Sequence, residues 1–179
     1  MRLVDQIVDL HTVLQGAGVP HAFGGALALA WCTQQARATI DIDVNLFVDT
    51  IDADTVLAVL PGAVVVTAAD RTRIERDGQT RLWWDTTPVD VFFNTTAFHA
   101  EAAGRVQFEA FAGAQVPFLA CDDLAVFKAF FNRTKDWADL EAMHEAGTLH
   151  VPNVLGVLAT YLGGADPRIE RLRQLGGLG

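Results

Sequence analysis

A chain of 179 residues, 51% apolar and 20% charged, is long enough for one good core with a small appended helical unit and too short for two large independent domains. Its net charge of −9 argues against a broad basic surface for non-specific nucleic-acid binding, which depends on many phosphate contacts. No apolar run approaches the roughly eighteen residues of a membrane span, and Met1 to Gln6 lack the apolar stretch of a signal peptide, so a cytoplasmic protein without membrane contact is expected.

Val4, Ile7, Val8 and Leu14 recur at helical spacing over residues 3 to 15, and Gly16 and Gly18 stop that helix. His21-Ala22-Phe23 is a short extended entry into Gly24-Gly25, and Ala26 to Trp31 are good helix formers. Strand, glycine pair and helix thus follow in order. Glycine lets the backbone approach a ligand closely, and the free N–H groups of the next helix favour anions such as phosphate.

Ile40, Ile42, Val44 and Leu46 alternate with Asp41, Asp43 and Asn45, the period-two pattern of a strand buried on one face. Asp41 and Asp43 then project together from the other face. A helix capped by Asp52 or Asp54 is expected through Leu60, ended by Pro61-Gly62, followed by a strand at Val64 to Val66. A strand meander comes next: Asp77-Gly78 marks a turn, Arg81 to Trp84 read as a strand, and Asp85 to Pro88 turn the chain into Val89-Asp90-Val91. Residues 97 to 103 suit a short helix, and 106 to 111 and 115 to 119 two further strands around Gly113.

From Cys121 the period becomes helical, with Asp122 or Cys121 at the N-cap and Leu124, Phe127 and Phe131 as the apolar stripe. Lys128 interrupts that stripe, and either snorkels past the core or reaches into a polar cleft. Lys135 begins another helix in which Asp136 caps the first turn and faces Lys128. Gly147 ends it, Pro152 opens a helix to about Leu162, Asp166-Pro167 start a short arginine-bearing one, and residues 176 to 179 form a frayed end. Cys32 and Cys121 stand far apart in sequence, without metal-ligand spacing, and are expected to be reduced structural thiols.

Asp90 lies between two valines in an apolar run. If its strand neighbours that of Asp41 and Asp43, three carboxylates share one sheet, which suits hard divalent ions such as Mg²⁺. A pair of such ions can clamp the attacking and leaving oxygens of a phosphoryl displacement. Arg71, Arg73, Arg76 and Arg81 fall within eleven residues and form a candidate acceptor contact.

The segments GGALALAWCTQQARATIDIDVNLFV, VDVFF and DDLAVFKAFFNRTKDWADL together resemble the DNA polymerase β-like nucleotidyltransferases, with an order and spacing similar to the AbiEii-type toxins, including the MenT group. The resemblance spans roughly residues 20 to 146. It implies an α+β fold: a mixed-sheet nucleotidyltransferase core over residues 1–120, flanked by helices, and a small helical region over 121–179 packed on it as a single compact unit. By the same resemblance Gly24 and Gly25 hold the triphosphate, Asp41, Asp43 and Asp90 bind Mg²⁺ carrying the NTP, and Asp90 also helps deprotonate the acceptor hydroxyl. Arg37 matches the Arg-x-Thr-x-Asp-x-Asp pattern, Lys128 the helical lysine that contacts phosphate, and Asp136 the acid that follows it.

Two departures stand out. Many relatives carry Gly-Ser where this chain has Gly24-Gly25, and His-Gly where it has Trp31 to Ala36. The implied activity is Mg²⁺-dependent transfer of a nucleoside monophosphate from an NTP to an acceptor hydroxyl, by resemblance the tRNA 3′ end, in a toxin paired with an antitoxin. A protein or a small molecule such as an aminoglycoside is the alternative acceptor, and a catalytically silent binding module the alternative of another class.

Overall fold

The computed structural model describes residues 1–178, and Gly179 of the expected frayed end lies outside them. The chain divides into two compact units, residues 1–27 with 38–119 and residues 28–37 with 120–179.

The first unit carries a seven-stranded mixed sheet, formed by β1 (His21–Phe23), β2 (Ile42–Asp49), β3 (Val64–Val65), β4 (Gln79–Trp84), β5 (Thr87–Asn94), β6 (Gln107–Phe111) and β7 (Ala114–Phe118) in the order β3-β4-β5-β2-β1-β7-β6. The central pair, β2 and β5, is parallel, and β4 and β1 flank it antiparallel. On one face of the central strands Ile42, Val44, Leu46, Val89, Val91 and Leu82 are excluded from solvent, as period-two alternation requires. Helix α1 (Leu3–Gly16) buries Ile7, Leu10 and Leu14 at helical spacing, and its Gln6 amide donates to the Trp84 carbonyl at 3.3 Å.

Three local expectations are corrected here. β2 begins at Ile42, so Ile40 lies outside the strand and is 80% exposed, and Asp41 sits on the bend leading into it. Helix α3 (Ala53–Leu57) ends before Leu60, with Asp52 at its N-cap. The expected meander after Val66 contains a helix, α4 (Ala68–Asp77). Its apolar signal is weak because only Ile74 and Asp70 are buried, and its ends are fixed by polar chemistry instead. Thr67 accepts from the Asp70 N–H while the Asp70 carboxylate accepts from the Thr67 N–H, and Gly78 closes the other end at φ +70°. The short helix α5 (Ala97–Ala102) follows β5 as expected, with Thr96 as its cap.

Helix α2 (Gly25–Thr33) runs from the first unit into the second. The second unit is otherwise helical: α6 (Cys121–Phe131), α7 (Thr134–Glu145), α8 (Val151–Leu162) and α9 (Pro167–Leu175). Helix α6 packs on α7 and α8, and α9 on α8. Its core holds Leu124, Val126, Trp137, Leu140, Met143, Val154, Leu158 and Leu172, with the Arg171 guanidinium stacked 4.2 Å from the Trp137 ring centroid. Ala120, not Asp122 or Cys121, is the N-cap of α6; Asp122 accepts from the His150 N–H and the Asn153 amide instead.

The two cysteines are not reduced thiols. Cys32, in the last turn of α2, and Cys121, the first residue of α6, form a disulfide with their Cα atoms 5.7 Å apart. Their 89-residue separation in sequence concealed a proximity that only packing creates.

Candidate active site

Strand register brings the acids of the two apolar runs together. Asp43 on β2 is paired with Asp90 on β5, and Asp90 with Arg81 on β4, so the three side chains form one row across adjacent strands on the face opposite Ile42, Val89 and Leu82. Neighbouring strands lie about 4.8 Å apart, which puts side chains of opposite charge within direct reach. Arg81 donates from Nε to Asp90 Oδ1 at 2.8 Å and from Nη2 to Asp90 Oδ2 at 2.6 Å. The same Nη2 lies 3.6 Å from Asp41 Oδ2, while Thr39 Oγ1 donates to Asp41 Oδ1 at 2.7 Å. Hydrogen bonding to Asp90 raises the Arg81 pKa against the opposing effect of burial, and attraction to Asp90, Asp41 and Asp43 adds to it.

The glycine pair meets this row from β1. The Gly24 N–H donates to the Asp43 carbonyl at 2.9 Å, extending the β1–β2 ladder by one bond. Gly25 has φ +52°, and a Cβ there would overlap the Asp43 carboxylate. Both facts demand glycine: the left-handed backbone disfavours a side chain, and the space one would fill belongs to Asp43. Gly25 also opens α2, whose first N–H groups suit an anion.

Oxygen donors of this kind fit a hard divalent ion, and a guanidinium already seated between Asp90 and Asp41 marks where positive charge is needed. Asp43, Asp90 and Asp41 are the acids to which the motif resemblance assigns such an ion. As the side chains stand, no three His, Cys, Asp or Glu among the described residues gather closely enough to enclose one.

A second group lies in the helical unit. Lys128 is buried on α6, and its Nζ donates to Asp139 Oδ2 at 2.7 Å; Asp139 Oδ1 accepts from Arg37 Nη1. Asp139, which the sequence reading passed over, is therefore the residue that ties Lys128 to Arg37. Asp136 faces Arg133: it accepts from the Arg133 N–H at 3.0 Å and from Nε at 2.7 Å, closing the first turn of α7. Burial alone would raise the Asp136 pKa, but these bonds, followed by the charges of Arg133 and Lys128, bring it below the usual carboxylate value. Asp136 thus caps its helix as expected and feels the Lys128 charge, but its hydrogen bonds go to Arg133. The signal that could have found Asp139 is its position three residues beyond Asp136, on nearly the same helix face.

The four arginines of the expected acceptor patch divide between two elements. Arg71, Arg73 and Arg76 lie on α4 and Arg81 on β4, and each is paired with an acid: Asp54, Asp70, Asp77 and Asp90.

No family model and no curated protein matches this chain. Solved structures do, and they define a nucleotidyltransferase fold: an α+β architecture with a mixed sheet flanked by helices. The chain is similar to the antibiotic-resistance factor ANT(2'')-Ia in solution, with a TM-score of 0.58 and 17% identity over 96% of this chain and 89% of that one. It is similar to the same factor in complex with adenylyl-2''-tobramycin, with a TM-score of 0.57 and 15% identity over 96% and 94%. The lincosamide antibiotic adenylyltransferase LnuA, bound to lincomycin, matches with a TM-score of 0.54 and 11% identity over 79% of this chain and 96% of that one. Among the described residues no helix is long and apolar enough to cross a membrane.

Proposed function

We propose that the protein transfers a nucleoside monophosphate from an NTP to a hydroxyl of a small polar molecule, releasing pyrophosphate. The observation that carries this reading is the Arg81–Asp90–Asp43 row with Gly25 pressed against Asp43. Gly24 and Gly25 let the triphosphate approach the start of α2, where backbone N–H groups take the place of the serine hydroxyl that many relatives carry. Mg²⁺ held by Asp41, Asp43 and Asp90 would neutralise the phosphates and lower the pKa of the acceptor hydroxyl. Asp90 is the carboxylate assigned to receive that proton, and Lys128, steadied by Asp139, is assigned to phosphate. Catalysis is then positioning and charge neutralisation.

Charge supports that acceptor. A chain of net charge −9 whose α4 and β4 arginines are each paired with an acid offers little to a polyanion, and it suits a cationic, hydroxylated molecule. Two neighbours of this fold are described with antibiotics bound or modified, which supports the same class of acceptor. The motif order favours a second reading, the tRNA 3′ end as acceptor of an antitoxin-controlled toxin.

The test is incubation with Mg²⁺ and each α-labelled NTP in turn, with a panel of amino-sugar and lincosamide compounds in one arm and total cellular RNA in the other. Asp43→Asn serves as the control. Label on a small molecule that vanishes in the variant supports the first reading, and label on tRNA-sized RNA supports the second. No label in either arm rejects both.

A further inference from the structure

We infer that Arg81 is a built-in counter-cation of the carboxylate row, one that has to leave Asp90 and Asp41 before a divalent ion can take its place. The inference rests on the reading of Asp41, Asp43 and Asp90 as the ion-binding acids, and it assigns Arg81 a role opposite to acceptor contact.

Three observations carry it. The register puts Arg81 directly across from Asp90, with Asp43 next in the row, so β-sheet geometry fixes the base of the Arg81 side chain beside these acids whatever occupies the site. Both oxygens of Asp90 accept from Arg81 in a two-pronged arrangement, the geometry in which arginine binds a carboxylate most strongly. The same guanidinium reaches Asp41 at 3.6 Å, so one cation serves two of the acids.

A cation is needed there in the free protein because Asp43 and Asp90 on one sheet face, with Asp41 on the bend beside them, repel one another. Arg81 meets that need. It also competes: a doubly charged ion on Asp43 and Asp90 would stand within a few ångströms of the guanidinium, and like charges that close oppose each other. The Arg81 side chain is half exposed, with a long flexible stem, so it can swing into solvent by rotamer change without disturbing β4. Ion binding is therefore coupled to release of Arg81 from Asp90, and Asp90 becomes free to act only in the ion-loaded state. The device keeps the free protein's affinity for divalent ions low and favours loading when NTP phosphates add their own oxygens.

The experiment is Mn²⁺ binding to the full chain without nucleotide, read from the loss of the free-ion electron paramagnetic resonance signal. Wild type, Arg81→Gln, Arg81→Lys and each combined with Asp43→Asn are compared, with circular dichroism as the check on folding. Arg81→Gln is expected to bind Mn²⁺ about tenfold more tightly, Arg81→Lys to fall between, and Asp43→Asn to abolish the gain. Unchanged or weaker binding in both Arg81 variants, with wild type holding an ion that Asp43→Asn removes, overturns the inference and leaves the metal reading standing. If Asp43→Asn changes Mn²⁺ binding in no background, the metal reading fails and the inference with it.

Discussion

Asp139 offers the sharpest test of the helical unit, because its removal strands a buried charge. The Lys128 side chain is 9% exposed and Asp139 12%, and their 2.7 Å contact joins α6 to α7. Truncating one partner of such a pair leaves the other ionised and dry, at a cost of about 3–5 kcal/mol. The second partner, Arg37, is 42% exposed and can turn to water, so its lost contact adds at most about 1 kcal/mol. Asp139→Ala should therefore lower the unfolding free energy by about 3–5 kcal/mol. Asp136→Ala, which frees a half-exposed Arg133 and one cap, should cost only about 1–2 kcal/mol. Replacing both charges, Lys128→Met with Asp139→Leu, removes the stranded ammonium and should recover most of the loss. Urea unfolding of the full chain at neutral pH measures all of these. If Asp139→Ala costs less than Asp136→Ala, or if the double replacement is no more stable than Asp139→Ala alone, Asp139 does not hold Lys128 in the way described.

Gly25→Ala should destabilise the protein by about 1–2 kcal/mol through its left-handed backbone, while displacing the Asp43 carboxylate and cutting nucleotide transfer by about a hundredfold. Thermal unfolding and labelled-NTP transfer separate the two effects. His21 donates from Nδ1 to the Val19 carbonyl at 2.7 Å, so its Nε2 accepts from His11 at 2.9 Å, and burial lowers its pKa to about 4. The unfolded chain binds that proton first, so this contribution to stability is full above about pH 6.5 and is lost as the pH falls towards 4. Denaturation midpoints between pH 7 and 4.5 should show the slope, and His21→Gln should reduce it, leaving the part due to His99, whose pKa burial also lowers to about 4. The Cys32–Cys121 bridge closes a loop of 89 residues in the unfolded chain, and Cys32→Ser with Cys121→Ser should cost about 2–4 kcal/mol, read by denaturation with and without reductant.

What the sequence revealed and what it hid divide along physical lines. The alternation around Val44 and Val91 announced two buried strands, and their acids proved to share a register because both stand in the same phase relative to the buried residues. Gly25 was legible as a glycine beside a helix, but the reason for it, the Asp43 carboxylate over its Cα, belongs to tertiary structure. Helix α4 escaped because periodicity registers apolar faces and this helix has almost none; the Thr67-x-x-Asp70 cap and Gly78 were its readable signs. The choice between Asp136 and Asp139 as the partner of Lys128 turned on a single helical step. Arg133 settles it, because an adjacent guanidinium and the helix N-terminus already satisfy Asp136.

The arginines show why composition and patterning have to be read together. Clustered in sequence, Arg71, Arg73, Arg76 and Arg81 looked like a surface for a polyanion. In the fold each faces a carboxylate, so their charge is neutralised locally and the field beyond the surface reflects the excess of acids over bases. A molecule of that kind repels a bare triphosphate as well as a bare nucleic acid. On the proposed reading the NTP would arrive with its charge already masked, by an ion carried on its phosphates. That ion would be the competitor that Arg81 yields to at Asp90. Delivery of the ion with the nucleotide and release of the guanidinium would then follow from one cause, the excess of carboxylates around a row that holds one arginine.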